Sequence, residues 1–298
     1  MRFALALPID RADPRRELHN QAALRRMAQV IEAAGFDACS VTDHPAPPRS
    51  WLESGGHVTL DPLVALACAG SATTTLRLFT NCYIAAYRHP HLSAKAIATL
   101  DALTDGRVIL GLAVGYLEHE FDALDVPFRR RGALLDDAIS RMQEAWTGDD
   151  LPSGTAVLPR PAATPHPPLW IGGNSRAAMR RAVRSGQGWI PFPAPLRMAE
   201  ATGTAPLTSA DDLRARIREA QQMASEAGRT TPLDICFTPF SHPHWRESCD
   251  PAAFVEEASA LATIGVTWLS FHLPAPNLDA FCDNVRRFGE EAITPLKG

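Results

Sequence analysis

The apolar positions of this chain fall into short continuous runs that alternate with longer stretches of helical spacing. Residues 3–7 form an apolar run stopped by Pro8. Beyond it Leu18, Ala22, Met27, Val30, Ile31 and Ala34 share one face of a helix predicted over 15–34 and closed by Gly35. Further strands are predicted over 36–42, 76–84 and 108–114. Between them lie helices at 62–72, with Asp61 as N-cap and Pro62 at the first helical position, and at 91–103. A long helix over 118–146 follows the fourth strand. Strands at 169–171, 188–192, 233–238 and 266–272 then alternate with helices that end at 184 or span 213–227, 251–264 and 278–292. Unbroken apolar strands separated by helices, with no hairpin signal, demand parallel pairing. Eight such units close as a single (β/α)8 TIM barrel.

Two stretches interrupt the rhythm. Residues 45–62, with Pro45, Pro47, Pro48, Pro62 and Trp51, make a long loop of the kind that usually carries function, and Trp51 could close over a substrate. The proline-rich segment after Gly148 is a surface connection, because the alternation resumes at once.

Composition narrows the picture. A 298-residue chain with 46% hydrophobic and 21% charged residues buries a large core. Its formal net charge of −4 offers no basic field for nucleic acid, and no run of apolar residues is long enough to span a bilayer. The first apolar run is too short for a secretory signal, so a soluble cytoplasmic protein is expected. Cys39, Cys68, Cys82, Cys236, Cys249 and Cys282 are scattered without a C-x-x-C pair and read as free thiols. His89-Pro90-His91 and His242-Pro243-His244 lack a carboxylate at helical spacing, so no metal is expected.

In such a barrel the chemistry belongs to the carboxyl ends of the strands. These carry Asp43 and His44, Asn81 to Tyr83, Gly115 and Tyr116, Gly172 to Ser175, Trp189, Thr238 and His272. At Asp43-His44 an imidazole can move a proton, and the adjacent carboxylate can hold its tautomer or contact a cofactor. Gly172, Gly173, Asn174 and Ser175 lie between a strand and a helix whose dipole favours an anion, with Arg176, Arg180 and Arg181 nearby. Trp189 is a candidate wall for a ring system.

The run RHPHLSAKAIATLDALTDGRVILGLAVGYLEHEFDALDVPFRRRG, residues 88–132, resembles the luciferase-like flavin and deazaflavin oxidoreductase family. Members of that family carry a similar RHP…K…ATLD…SGGR…LGVGVGW…EF…LGVPF…RG run. The resemblance implies the same barrel. It also implies cofactor-phosphate binding at Gly172 to Ser175, where WIGG and the later GQGW match as well. In the branch that uses coenzyme F-420, an 8-hydroxy-5-deazaflavin, an Asp-His pair at this strand end contacts the cofactor and assists proton transfer, and Asp43 and His44 match it. That branch often backs the ring with a non-proline cis peptide, which would fall at Asn81-Cys82. Gly115 matches the family glycine, but Tyr116 departs from the glutamate acid of its sugar-phosphate dehydrogenases and is taken as a donor or lid. Lys95 and Asp101 match with an expected structural role. The resemblance thus implies hydride transfer between F-420 and a small organic substrate, with His44 moving the proton. The alternatives are a monooxygenase using reduced flavin mononucleotide (FMN) and a non-catalytic flavin-binding barrel. A homodimer through the helices at 62–72 and 91–103 is also expected.

Overall fold

The structure, a computed structural model, describes residues 1–10, 13, 16–148, 150–151, 154–241 and 250–297. Its strands are β1 (Arg2–Ala6), β2 (Ala38–Val41), β3 (Arg77–Tyr83), β4 (Val108–Leu112), β5 (Leu169–Gly172), β6 (Gly188–Ile190), β7 (Asp234–Phe237) and β8 (Trp268–Phe271). All pair in parallel with their sequence neighbours, and β8 returns to β1, closing the barrel.

Each strand contributes one side chain to the interior: Ala4, Ala38, Phe79, Ile109, Trp170, Ile190, Cys236 and Trp268. Small residues on β1 and β2 face bulky ones opposite, and Trp170 meets Trp268 edge-on at 5.0 Å and Phe79 at 5.2 Å. The interior is therefore a packed floor, with the strand ends rising above it.

The outer layer consists of α1 (Gln21–Ala33), α2 (Arg49–Glu53), α3 (Pro62–Gly70), α4 (Pro90–Leu103), α5 (Glu118–Ala123), α6 (Arg131–Thr147), α7 (Arg176–Ser185), α8 (Leu196–Thr202), α9 (Ala210–Glu226), α10 (Pro251–Thr263), α11 (Leu278–Phe288) and α12 (Thr294–Lys297). The Asp61 carboxylate caps α3 by accepting from the amides of Leu63 and Val64, with Pro62 at the start.

The structure departs from the sequence reading at several helix ends. The first helix begins only at Gln21, capped by Asn20, and Arg15 lies outside the described residues. The helix predicted over 118–146 is broken in two. Asp125 adopts φ +55° and Pro127 follows, so the chain turns before the 3-10 segment Phe128–Arg130 restarts it. The loop after β2 contains α2, and α8 stands between β6 and α9. His242, His244 and Cys249 lie outside the described residues, and the other five cysteines are free thiols.

Candidate active site

The loops after β2, β3 and β4 converge on His44. Its Nδ1 lies 3.0 Å from Oε2 of Glu120, on α5. The Glu120 side chain is fully buried, and its other oxygen accepts the Ala46 amide at 3.1 Å. Tyr87 donates its hydroxyl to the same Oε2 at 3.2 Å. A buried carboxylate so surrounded by donors has its desolvation offset by hydrogen bonds. It assigns the Nδ1 proton of His44 and leaves Nε2 for a ligand. The sequence reading missed Glu120, although the EF of the matched run is Glu120-Phe121.

Asp43 is bonded to Arg88 and Ile84, and not to the His44 imidazole. Its carboxylate takes a bidentate pair of bonds from Arg88, at 2.6 and 2.9 Å, and a third from the amide of Ile84 at 2.9 Å. With its side chain 1% exposed, it clamps the end of β2 to the segment after β3. Burial alone would lower the Arg88 guanidinium pKa, but the bonds to Asp43 hold it above its ordinary range. Arg88 also lies 4.3 Å over the Tyr83 ring.

That clamp borders a break in β3. The β3–β4 register shifts between Thr80 and Tyr83, and the Asn81–Cys82 peptide within it is cis. Asn81 Nδ2 donates across the barrel mouth to Ser270 Oγ on β8, at 3.2 Å. Burial, and then the charge of Asp43, pushes the Cys82 thiol up to about 12, so it is a neutral wall rather than a nucleophile. Gly172 packs against this wall, where a Cβ would stand 2.8 Å from the Cys82 sulfur.

Aromatic rings gather around His44. Trp51, His57 and Tyr116 have ring centroids 4.9, 4.7 and 5.8 Å from that of His44. Trp51 and His57 come from the long loop, and His57 is a residue the sequence reading did not single out. Burial, followed by the Glu120 charge, pushes the Tyr116 phenol up to about 12, which keeps it protonated. Gly115 holds φ +78° where a Cβ would meet the Phe121 ring at 2.9 Å, so glycine is required there.

The glycine-rich turn after β5 is built differently from the expected cradle. The Gly173 amide donates to Ile190 O at 3.1 Å and the Asn174 amide to Thr204 Oγ1 at 3.3 Å. Asn174, fully buried, spends its side chain on Phe192 and Ala205. Ser175 caps α7 through Ala178 N, and the amides of Arg176 and Ala177 complete the donors of the first turn. Arg176 pairs with Glu219, and Arg181 with Asp136, so neither is committed to the loop. Trp189 is no ring wall: it lies fully buried among the residues between sheet and helices and donates Nε1 to Gly173 O at 2.8 Å. Asp101 is structural, accepting from Val108 N and Ala163 N at 3.2 and 2.8 Å, and Lys95 donates to Leu158 O.

Among the described residues no cluster of three metal-ligating side chains occurs, and no helix is long and apolar enough to cross a membrane.

Comparison with known proteins places this site in context. The chain is 30% identical over 314 residues to an F-420-dependent glucose-6-phosphate dehydrogenase of Beutenbergia cavernae, covering 90% of this chain and 91% of that one. Its fold matches a monooxygenase of Streptomyces bottropensis with a TM-score of 0.77 at 19% identity, over 99% of both chains. It also matches the coenzyme F-420-dependent tetrahydromethanopterin reductase of Methanopyrus kandleri, with a TM-score of 0.69 at 15% identity over 99% of both. The sequence profile described as luciferase-like monooxygenase matches residues 1–280, nearly the whole barrel from β1 into α11, and the chain belongs to that family.

Proposed function

We propose that this protein is an oxidoreductase that moves hydride between coenzyme F-420 and a small organic substrate, with His44 as the proton-transfer group. The observation that carries the reading is the His44–Glu120 pair at 3.0 Å, sealed by Tyr87 and the Ala46 amide at the mouth of the barrel. The F-420-dependent relative supports the cofactor.

The residues present fit a flat, anionic cofactor. The buried Thr42 hydroxyl, two residues before His44, has no hydrogen-bond partner among the described residues. The shelf of Asn81 and Cys82 and the bare backbone of Gly115 and Gly172 would take a ring, and the first turn of α7 its phosphate. When bound, the deazaflavin supplies the hydride acceptor or donor. In the oxidising direction His44 Nε2 takes the proton of the substrate hydroxyl as hydride leaves the same carbon. In the reducing direction it returns that proton to the carbonyl oxygen. The aromatic rings of Trp51, His57 and Tyr116 keep water from His44.

Fluorescence titration of the apoprotein with oxidised F-420 and with FMN, in parallel, tests the cofactor. Tighter binding of FMN would replace this reading with the monooxygenase one. We further propose a homodimer through α3 and α4, on which Val64, Leu92 and Leu103 stand 70%, 70% and 75% exposed.

A further inference from the structure

The mouth holds a second imidazole–carboxylate pair. His272, just past the end of β8, places Nε2 3.2 Å from Oδ2 of Asp10, just past β1. The Asp10 side chain is 6% exposed and that of His272 31%, so the carboxylate is the buried anchor and the imidazole the accessible part.

Strand alternation sets where His272 stands. On β8, Trp268 belongs to the barrel interior, Leu269 and Phe271 to the outer layer, and Ser270 meets the Asn81 side chain. His272 continues the inward series, one layer above the Ser270–Asn81 bond. On β2 the interior residue is Ala38, and His44 lies on the same parity. Since β1 pairs with both β2 and β8, the two histidines rise from strands about 10 Å apart, two inter-strand spacings. Both stand at the carboxyl-terminal mouth of the barrel, at the space above the Asn81–Ser270 bond.

With Nε2 tied to Asp10, Nδ1 is the nitrogen that can reach into that space. We infer that His272, held by Asp10, is a second ligand-binding residue of the site and hydrogen-bonds an oxygen on the edge of the cofactor ring through Nδ1. The inference rests on the flavin or deazaflavin reading given above. Its role is positional, since the reacting carbon is served by His44.

The test is equilibrium binding to the apoprotein, without turnover. Oxidised F-420 and FMN are each titrated against wild type, His272→Ala and His272→Gln, and whichever binds wild type more tightly is the reporter. His272→Ala should weaken binding about 10-fold, the worth of one hydrogen bond with its desolvation. His272→Gln, which keeps a polar atom near the same place, should recover most of that loss. Equal affinities of His272→Ala and wild type, or a His272→Gln as weak as His272→Ala, would overturn the assignment while leaving the cofactor reading intact. Wild type that binds neither cofactor would overturn both.

Discussion

His44 and Glu120 are 76 residues apart in the chain and 3.0 Å apart in the barrel, Nδ1 to Oε2. A buried carboxylate on the far nitrogen fixes the tautomer that leaves Nε2 to the substrate. His44→Ala should therefore lower turnover by roughly 10²–10⁴ while leaving cofactor affinity nearly unchanged. Glu120→Gln replaces one acceptor oxygen with a donor facing a donor, and should cost roughly 10² in turnover. Because the two act as one unit, adding Glu120→Gln to His44→Ala should cost little more. Additive losses in steady-state kinetics would show that Glu120 acts elsewhere.

Tyr116 should behave as a neutral hydrogen bonder. With its phenol pushed up to about 12, it stays protonated throughout the range in which the enzyme is assayed. Tyr116→Phe should change the height of the kcat/KM profile and no limb of it below about pH 10. A limb that disappears in this variant would mean that Tyr116 ionises during turnover.

Asp43 is expected to matter for stability first. Asp43→Asn leaves the Arg88 guanidinium partly buried against a neutral amide, and removing one partner of such a pair costs about 3 kcal/mol. Urea denaturation should show that loss, with Arg88→Ala about as damaging. Full stability combined with weakened F-420 binding would restore the direct cofactor contact that the sequence implied.

At the turn after β5, Gly173 holds φ +118°, where a side chain is strained whatever the available space. Gly173→Ala should cost about 1–2 kcal/mol in thermal or chemical unfolding. Gly173→Asp should also weaken F-420 at least 10-fold, since it sets a negative charge beside the anion-facing first turn of α7. A folded Gly173→Asp with wild-type affinity would move the phosphate site elsewhere.

The dimer expectation is read by light scattering. Wild type should give twice the 32.3 kDa chain mass, and a Leu92→Glu, Leu103→Glu double variant should give one. A wild-type monomer would make the exposed leucines of α4 ordinary surface.

The barrel was legible in the sequence because each buried strand is an unbroken apolar run and punctuation such as Asp61-Pro62 marks helix starts directly. His44 could be named as a candidate because it follows a strand. Glu120 could not, since a glutamate in a short helix of acidic pattern reads as a solvated face until the fold brings it against His44. Trp189 was misread because which side of a three-residue strand faces inward is a matter of parity, which its composition does not reveal. The long helix was overextended across Asp125 because amphipathic spacing continues on both sides of the turn. The glycine-rich turn showed its flexibility in sequence, but the partners that claim its amides come from residues 190 and 204, on later segments.

The His44–Glu120–Tyr87 network, together with the Asp43–Arg88 clamp, is confined to the loops that follow three successive strands, β2 to β4. The proton-transfer apparatus proposed above is thus modular in the chain. The loops after β5, β6 and β7 can be exchanged, lengthened or recombined between relatives without cutting any of its bonds. A scaffold divided this way can acquire new substrates by changing one half of its rim while inheriting the other half intact.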